Sequence, residues 1–165
     1  MNAKKKEKYF WEKYFGISYS QAGNLNPVVK RLNFKDSELD DEGLLFLISK
    51  VKVIDQLDLD NTLVTDKGVQ YLTKLESIKE LRLKGCRGIT QKCLPDLASM
   101  KELELLHLGR TVVTLEDAKT LSRLQNLKLL LLSSDDPQEL IKKEASILRS
   151  LFPGCEININ HQIDF

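Results

Sequence analysis

The chain has 165 residues, with 25 lysines and arginines against 24 aspartates and glutamates, for a formal net charge of +1. At 42% hydrophobic and 30% charged it is no disordered tail or collagen-like rod, and one domain of this size buries roughly two thirds of its unfolded surface. The near-neutral balance argues against a nucleic-acid surface, which shows a basic excess or stripe, and no apolar run approaches the ~20 residues that span a bilayer.

The chain opens Met1-Asn2-Ala3-Lys4-Lys5-Lys6-Glu7-Lys8. No apolar stretch follows the lysines, as a signal peptide requires. The first arginine is Arg31, and Glu7 and Glu12 precede it, unlike a mitochondrial presequence. A cytoplasmic location is expected, with no membrane insertion. Tyr9, Phe10, Trp11, Tyr14 and Phe15 crowd together on a helix predicted over about residues 5–15, with Phe10/Tyr14 and Trp11/Phe15 at i,i+4 spacing. The simplest role for residues 1–28 is a cap laid over the first repeat. The alternative is a docking or membrane-surface helix in which Phe10, Trp11, Tyr14 and Phe15 are flanked by Lys4, Lys5, Lys6, Lys8 and Lys13. Residues 16–27 read as a loop, with room for a short strand.

Residues 29–135 carry an internal repeat. Val29-x-x-Leu32-x-Phe34 recurs as Ile54-x-x-Leu57-x-Leu59, Ile78-x-x-Leu81-x-Leu83, Leu103-x-x-Leu106-x-Leu108 and Leu127-x-x-Leu130-x-Leu132. The middle leucines at 32, 57, 81, 106 and 130 are spaced 25, 24, 25 and 24 apart. Alternation of this kind buries one face of a short strand. After each strand come a turn residue (Ser37, Thr62, Cys86, Thr111, Asp135), an apolar residue (Leu39, Val64, Ile89, Val113) and a polar cap (Asp40, Thr65, Thr90, Thr114). Apolar residues at helical spacing follow: Val69, Leu72, Leu75; Leu94, Leu97, Met100; Ala118, Leu121, Leu124. No strand–turn–helix unit buries its apolar side alone, and stacking the units makes one continuous core. Residues 136–165 form the other end. Asp136-Pro137 reads as an N-cap and first-turn pair, Leu140 to Leu151 as an amphipathic helix stopped by Pro153-Gly154, and Ile157-x-Ile159 as a last strand before the tail.

This pattern resembles the leucine-rich-repeat family. Leu57-x-Leu59-x-x-Thr62-x-Val64-Thr65-Asp66-x-Gly68 and Leu81-x-Leu83-x-x-Cys86-x-x-Ile89-Thr90 look like its cysteine-containing subclass, known from ribonuclease-inhibitor-like and F-box receptor proteins. The resemblance implies an α/β right-handed solenoid of about five repeats, with a parallel sheet on its concave face and helices on its convex face, that binds proteins rather than catalyses. No F-box-like segment precedes the repeats, so a ubiquitin-ligase adaptor role is not expected. The stretch from Asn126-Leu127-Lys128 to Phe152-Pro153-Gly154-Cys155 also resembles the mitochondrial coupling factor B family. That implies the alternative function, an assembly or coupling factor at a membrane complex, anchored by the N-terminal lysine–aromatic segment.

Residues between the core positions of each strand point out of the sheet. One outward column is Asn33, Asp58, Arg82, His107, Leu131, Asn158. The columns beside it are Arg31, Gln56, Glu80, Leu105, Leu129, Glu156 and Lys35, Asp60, Lys84, Gly109, Ser133, Asn160. Asp58 with Arg82, and Asp60 between Lys35 and Lys84, are expected to neutralise one another as a solvated ladder. Leu105, Leu129 and Leu131 are apolar where polar residues belong, and each forgoes about 2 kcal/mol by staying exposed. Rimmed by His107, Arg82 and Ser133, and with Asp58 among the contact residues, they form the candidate contact surface for a protein partner of unknown identity or for a homodimer. The C-terminal tail folding back over the leucines is the competing arrangement.

Three cysteines (Cys86, Cys93, Cys155) and two histidines (His107, His161) show no Cys-x-x-Cys spacing, so reduced, mostly buried thiols are expected, with no metal and no cofactor. Gly85-Cys86-Arg87-Gly88 sits at a repeat turn, outside any strand–glycine-loop–helix phosphate motif. Cys86 and His107, on adjacent repeats, are a nucleophile–base candidate. Cys86 aligns with Thr62 and Thr111, however, which makes it a turn residue closing its repeat. No enzyme activity is expected.

Overall fold

The computed structural model describes residues 2–160. The chain begins with helix α1, Ala3–Phe15, whose N-cap Asn2 accepts the Lys5 N–H through its side chain. Gly16, left-handed at φ 63°, ends it. The Gly16 and Ile17 amides then donate to the Glu12 and Trp11 carbonyls, closing the helix with its orphan carbonyls satisfied. Residues 16–27 contain a 3-10 turn at Gln21–Asn24 and, among the described residues, no strand.

Among the described residues six strands follow: β1 Val28–Asn33, β2 Val53–Asp58, β3 Ser77–Arg82, β4 Leu105–His107, β5 Leu129–Leu132 and β6 Glu156–Ile159. They form one parallel sheet in the order β1-β2-β3-β4-β5-β6, which leaves β1 and β6 as its edges. The register carries the repeat directly: Leu32, Leu57, Leu81, Leu106, Leu130 and Ile157 pair in sequence across the sheet. Helices α2 Asp41–Lys50, α3 Asp66–Leu72, α4 Leu94–Ser99, α5 Leu115–Ala118 and α6 Gln138–Leu151 connect consecutive strands. Their apolar residues and the inward strand residues make one core, in which Leu44, Leu47, Ile54, Val69, Leu72, Leu81, Leu97, Leu106 and Leu130 are all fully buried.

Polar residues join each unit to the next. Asp41 accepts from the Thr65 N–H at 2.8 Å and from its hydroxyl at 2.6 Å; Asp66 accepts likewise from Thr90 at 2.7 and 2.6 Å. The next position along is Gln91, and Thr114 instead makes a capping box with its own Asp117. The turn residue two beyond the last core position of the first four repeats is left-handed: Asp36 φ 58°, Asn61 φ 56°, Gly85 φ 72°, Arg110 φ 55°.

At the far end Asp136 does not cap α6. Its carboxylate accepts the Ser134 hydroxyl and its amide donates back to that oxygen, so Pro137 takes the N-cap position and the helix starts one residue later than the Asp136-Pro137 reading. Lys119 anchors α6 through a 2.8 Å ion pair with the buried Glu144. Among the described residues no helix is long and apolar enough to cross a membrane.

Candidate functional site

The sheet face turned away from the helices carries the residues singled out from the sequence. Register sets Glu80, Leu105, Leu129 and Glu156 side by side in one row, and Asp58, Arg82, His107, Leu131 and Asn158 in the next. The structure therefore brings all six contact candidates, Asp58, Arg82, Leu105, His107, Leu129 and Leu131, into one patch. The three leucines are half-buried, because side chains on the adjacent strands flank each one: Glu80 and Leu129 beside Leu105, Leu105 and Glu156 beside Leu129, His107 and Asn158 beside Leu131. Sheltering of this kind comes from the sheet itself. Tail coverage is a separate matter, since residues 161–165 lie outside the described residues.

The charged half of the patch centres on Asp60. Arg82 Nε lies 3.8 Å from Asp60 Oδ2 and 4.0 Å from Asp58 Oδ2, and His107 Nδ1 lies 3.9 Å from Asp60 Oδ2. Asp60 is only 5% exposed. Its Oδ1 accepts the Lys84 backbone N–H at 2.8 Å, and Asp58 Oδ1 accepts the Asp60 N–H at 3.0 Å. The expected solvated ladder Lys35–Asp60–Lys84 is thus replaced by a buried carboxylate bonded to the Lys84 main chain. Alternation along the strand cannot distinguish these outcomes, because β2 ends at Asp58 and the chain is already turning at Asp60. Burial raises the Asp60 carboxyl above its ordinary value and Asp58 adds to the rise, while the Lys84 amide and Arg82 oppose it. Gly109 leaves the room this arrangement needs: a Cβ there would sit 3.0 Å from both His107 Nε2 and Ser133 Oγ.

Beside this cluster, over β1–β3, the outward face forms a polar cleft of about 360 Å³ lined by Arg31, Lys35, Gln56, Asp58, Glu80 and Arg82, among others. The face accordingly divides into a polar cleft of mixed charge and an apolar strip on β4 and β5, with Arg82 and His107 between them. A further row escaped the sequence reading. Lys30, Asp55 and Lys79 on β1, β2 and β3, and Glu104 and Lys128 immediately before β4 and β5, occupy equivalent repeat positions, alternating in sign. Lys79 pairs with Asp55 at 3.0 Å and Lys128 pairs with Glu104. The signal was present in the 24- or 25-residue spacing of these charges.

The N-terminal aromatics lie elsewhere and face inward. Phe10 is 3% and Trp11 0% exposed. Phe10 stacks against Trp11 at 4.8 Å and Phe46 at 5.8 Å, while Tyr14 and Phe15 close over Phe34 at 5.4 and 6.2 Å. As docking groups Phe10 and Trp11 have no surface to offer, because the open end of the core has already taken it. The lysines around them are also engaged: Lys6 pairs with Glu42, Lys8 with Glu12 and Lys13 with Glu38.

The thiols are held in their protonated form. Cys86 is fully buried and donates to the Leu59 carbonyl at 3.0 Å, the acceptor also used by Thr62. Burial raises its pKa, so it lacks the thiolate a Cys86–His107 pair would need. Burial likewise pushes the Cys93 thiol far up and Cys155 up to about 11. Among the described residues no group of three or more His, Cys, Asp or Glu side chains is arranged to hold a metal ion. The chain matches no protein-family model and no curated protein.

Proposed function

We propose that this chain is a cytoplasmic protein–protein interaction module, a leucine-rich-repeat solenoid of the cysteine-containing type, which presents the outward face of its sheet to a protein partner without catalysing a reaction. The family reading rests on the resemblance of the repeat. In its support, the six parallel strands follow one another in sequence order, and the turn thiol of Cys86 bonds the same carbonyl as its counterpart Thr62.

The observation that carries the binding role is the strip of Leu105, Leu129 and Leu131 on the outward face, adjoining Arg82, His107 and the polar cleft. An apolar centre with a polar rim is the anatomy of a protein contact surface. Leucines left half-exposed there forgo part of their burial energy in the isolated fold.

The double variant Leu129→Asp/Leu131→Asp tests this. Both side chains point away from the core, so the variant is expected to keep the wild-type far-UV circular dichroism. Light scattering across a concentration series and co-purification from the native cell are then compared with wild type. Loss of a dimer or of a co-purifying protein is the expected result. A folded variant that retains every wild-type association would refute the reading.

A further inference from the structure

β1 stands at one edge of the sheet, and among the described residues no strand pairs with its outer side. Its amides and carbonyls that point away from β2 therefore have no strand partner. The preceding connection does not seal this edge. Ile17, Ala22 and Leu25 pack on the core, yet Val28 is 54% exposed and the inward positions Val29 and Leu32 are only half-buried. Their equivalents in β2 and β3, Ile54, Leu57, Ile78 and Leu81, are at most 3% exposed.

The charges at this edge select what fits it. The alternating row Lys30, Asp55, Lys79, Glu104, Lys128 ends on a lysine at the open side, and Arg31 and Lys35 are exposed close by. Carrying the alternation one strand further calls for an acid. A second copy of β1 does not supply one. Antiparallel pairing of two such strands about their centres, with the sheet faces matched, sets Lys30 against Lys30 or Arg31 against Arg31, and like charges directly opposite destabilise a pair. Edge lysines guard a sheet against indiscriminate strand addition, and here they leave an acidic strand as the favoured one.

We propose that β1 is a docking edge for an extended acidic segment of a partner protein. The segment adds as a further strand through main-chain hydrogen bonds, with its apolar side chains on the face of Leu32 and its carboxylates on the other face beside Arg31, within reach of the long Lys30 side chain. This edge is distinct from the leucine strip, so the two sites stand or fall separately.

The probe is the acetylated, amidated hexapeptide EVDIEV, titrated into the isotope-labelled full chain and followed by backbone amide shifts. Saturable shifts concentrated in β1 are expected. Binding should weaken by about tenfold for the lysine counterpart KVKIKV, and by a similar factor when proline replaces the isoleucine and interrupts the ladder. The variant Lys30→Glu/Arg31→Glu, altered only at exposed positions, should reverse the preference toward KVKIKV. Equal binding of the proline peptide, shifts centred on Leu105, Leu129 and Leu131, or no shift at millimolar peptide would each overturn the proposal. So would a dimer that Lys30→Glu/Arg31→Glu disperses, since it would give the edge to a second copy.

Discussion

Replacing Trp11 by alanine removes the largest side chain of the N-terminal helix from a site where it is 0% exposed. The indole lies 4.8 Å from Phe10 in a T-shaped contact and 5.0 Å from Phe15, and its Nε1 donates to Glu7 at 3.4 Å. An aromatic side chain of this size buries roughly 150–250 Å². At about 25 cal/mol per Å² that corresponds to roughly 4–6 kcal/mol as an upper figure, and core aromatic truncations cost about 3–5 kcal/mol. A domain has only about 5–15 kcal/mol in total, so Trp11→Ala is expected to take a large share of it. In urea, with a slope of about 2 kcal/mol per molar, the midpoint should fall by about 2 M. Far-UV circular dichroism is the signal to follow, because Trp11 is the only tryptophan. Tyr9→Ala is the control on the same helix: Tyr9 is 54% exposed, and its loss should change stability by no more than about 0.5 kcal/mol. A Trp11→Ala chain within about 1 kcal/mol of wild type would refute the assignment of α1 to the cooperative core, and would reopen a role for its aromatics at a surface.

Further outcomes follow from single groups. The raised Asp60 carboxyl lets the folded chain keep a proton at a pH where the unfolded chain has lost it. Its contribution is therefore full below the unfolded pKa and lost as pH rises through the folded value. Asp60→Asn keeps an oxygen for the Lys84 amide and should gain stability relative to wild type between about pH 4 and about pH 7 in urea titrations. A wild-type advantage that grows over that range would mean that attraction to Arg82 outweighs burial. Arg110 is left-handed at φ 55°, a conformation costing roughly 1–2 kcal/mol for an L-residue. Glycine gives back about 0.5–1 kcal/mol of that in unfolded-chain entropy. Arg110→Gly should thus raise the thermal midpoint by about 2 °C, and a lowered midpoint would show that the arginine side chain itself is stabilising. With a thiol reagent the folded chain should react at Cys155 alone, about tenfold faster per pH unit below its pKa of about 11. Labelling of Cys86 or Cys93 without denaturant would contradict their burial.

Much of this architecture is legible in the primary structure for a simple reason. A unit that repeats every 24 or 25 residues stacks on its own image, so position in the repeat translates directly into position in the sheet. Leu57 pairs with Leu81, Asp58 with Arg82 and His107 with Leu131, as the alignment requires. The six contact candidates are neighbours because they share two rows. Where the periodic pattern lapses, the reading weakens. α2 carries no apolar run among those singled out, although its Asp40 cap was marked. The boundary at Asp136 moved because a serine two residues earlier claims the carboxylate.

Periodicity also says nothing about how far each side chain is enclosed, or which of several polar groups it chooses. Asp41, Asp58, Asp60 and Asp66 look alike in a sequence. Asp41 and Asp66 reach the next unit's threonine, Asp60 is buried on the Lys84 amide, and Asp58 stays at the face to hold the Asp60 amide. Phe10 and Trp11 could equally have sat on a surface or in a core until the open end of the first unit was seen to enclose them. The strand pattern, inward faces and stacking order follow from local alternation and repeat length, which a one-dimensional pattern carries. Burial, hydrogen-bond choice and the half-sheltered state of the leucines are set by atoms about 24 residues away in the chain and a few ångströms away in space, and these exist only once the units have stacked.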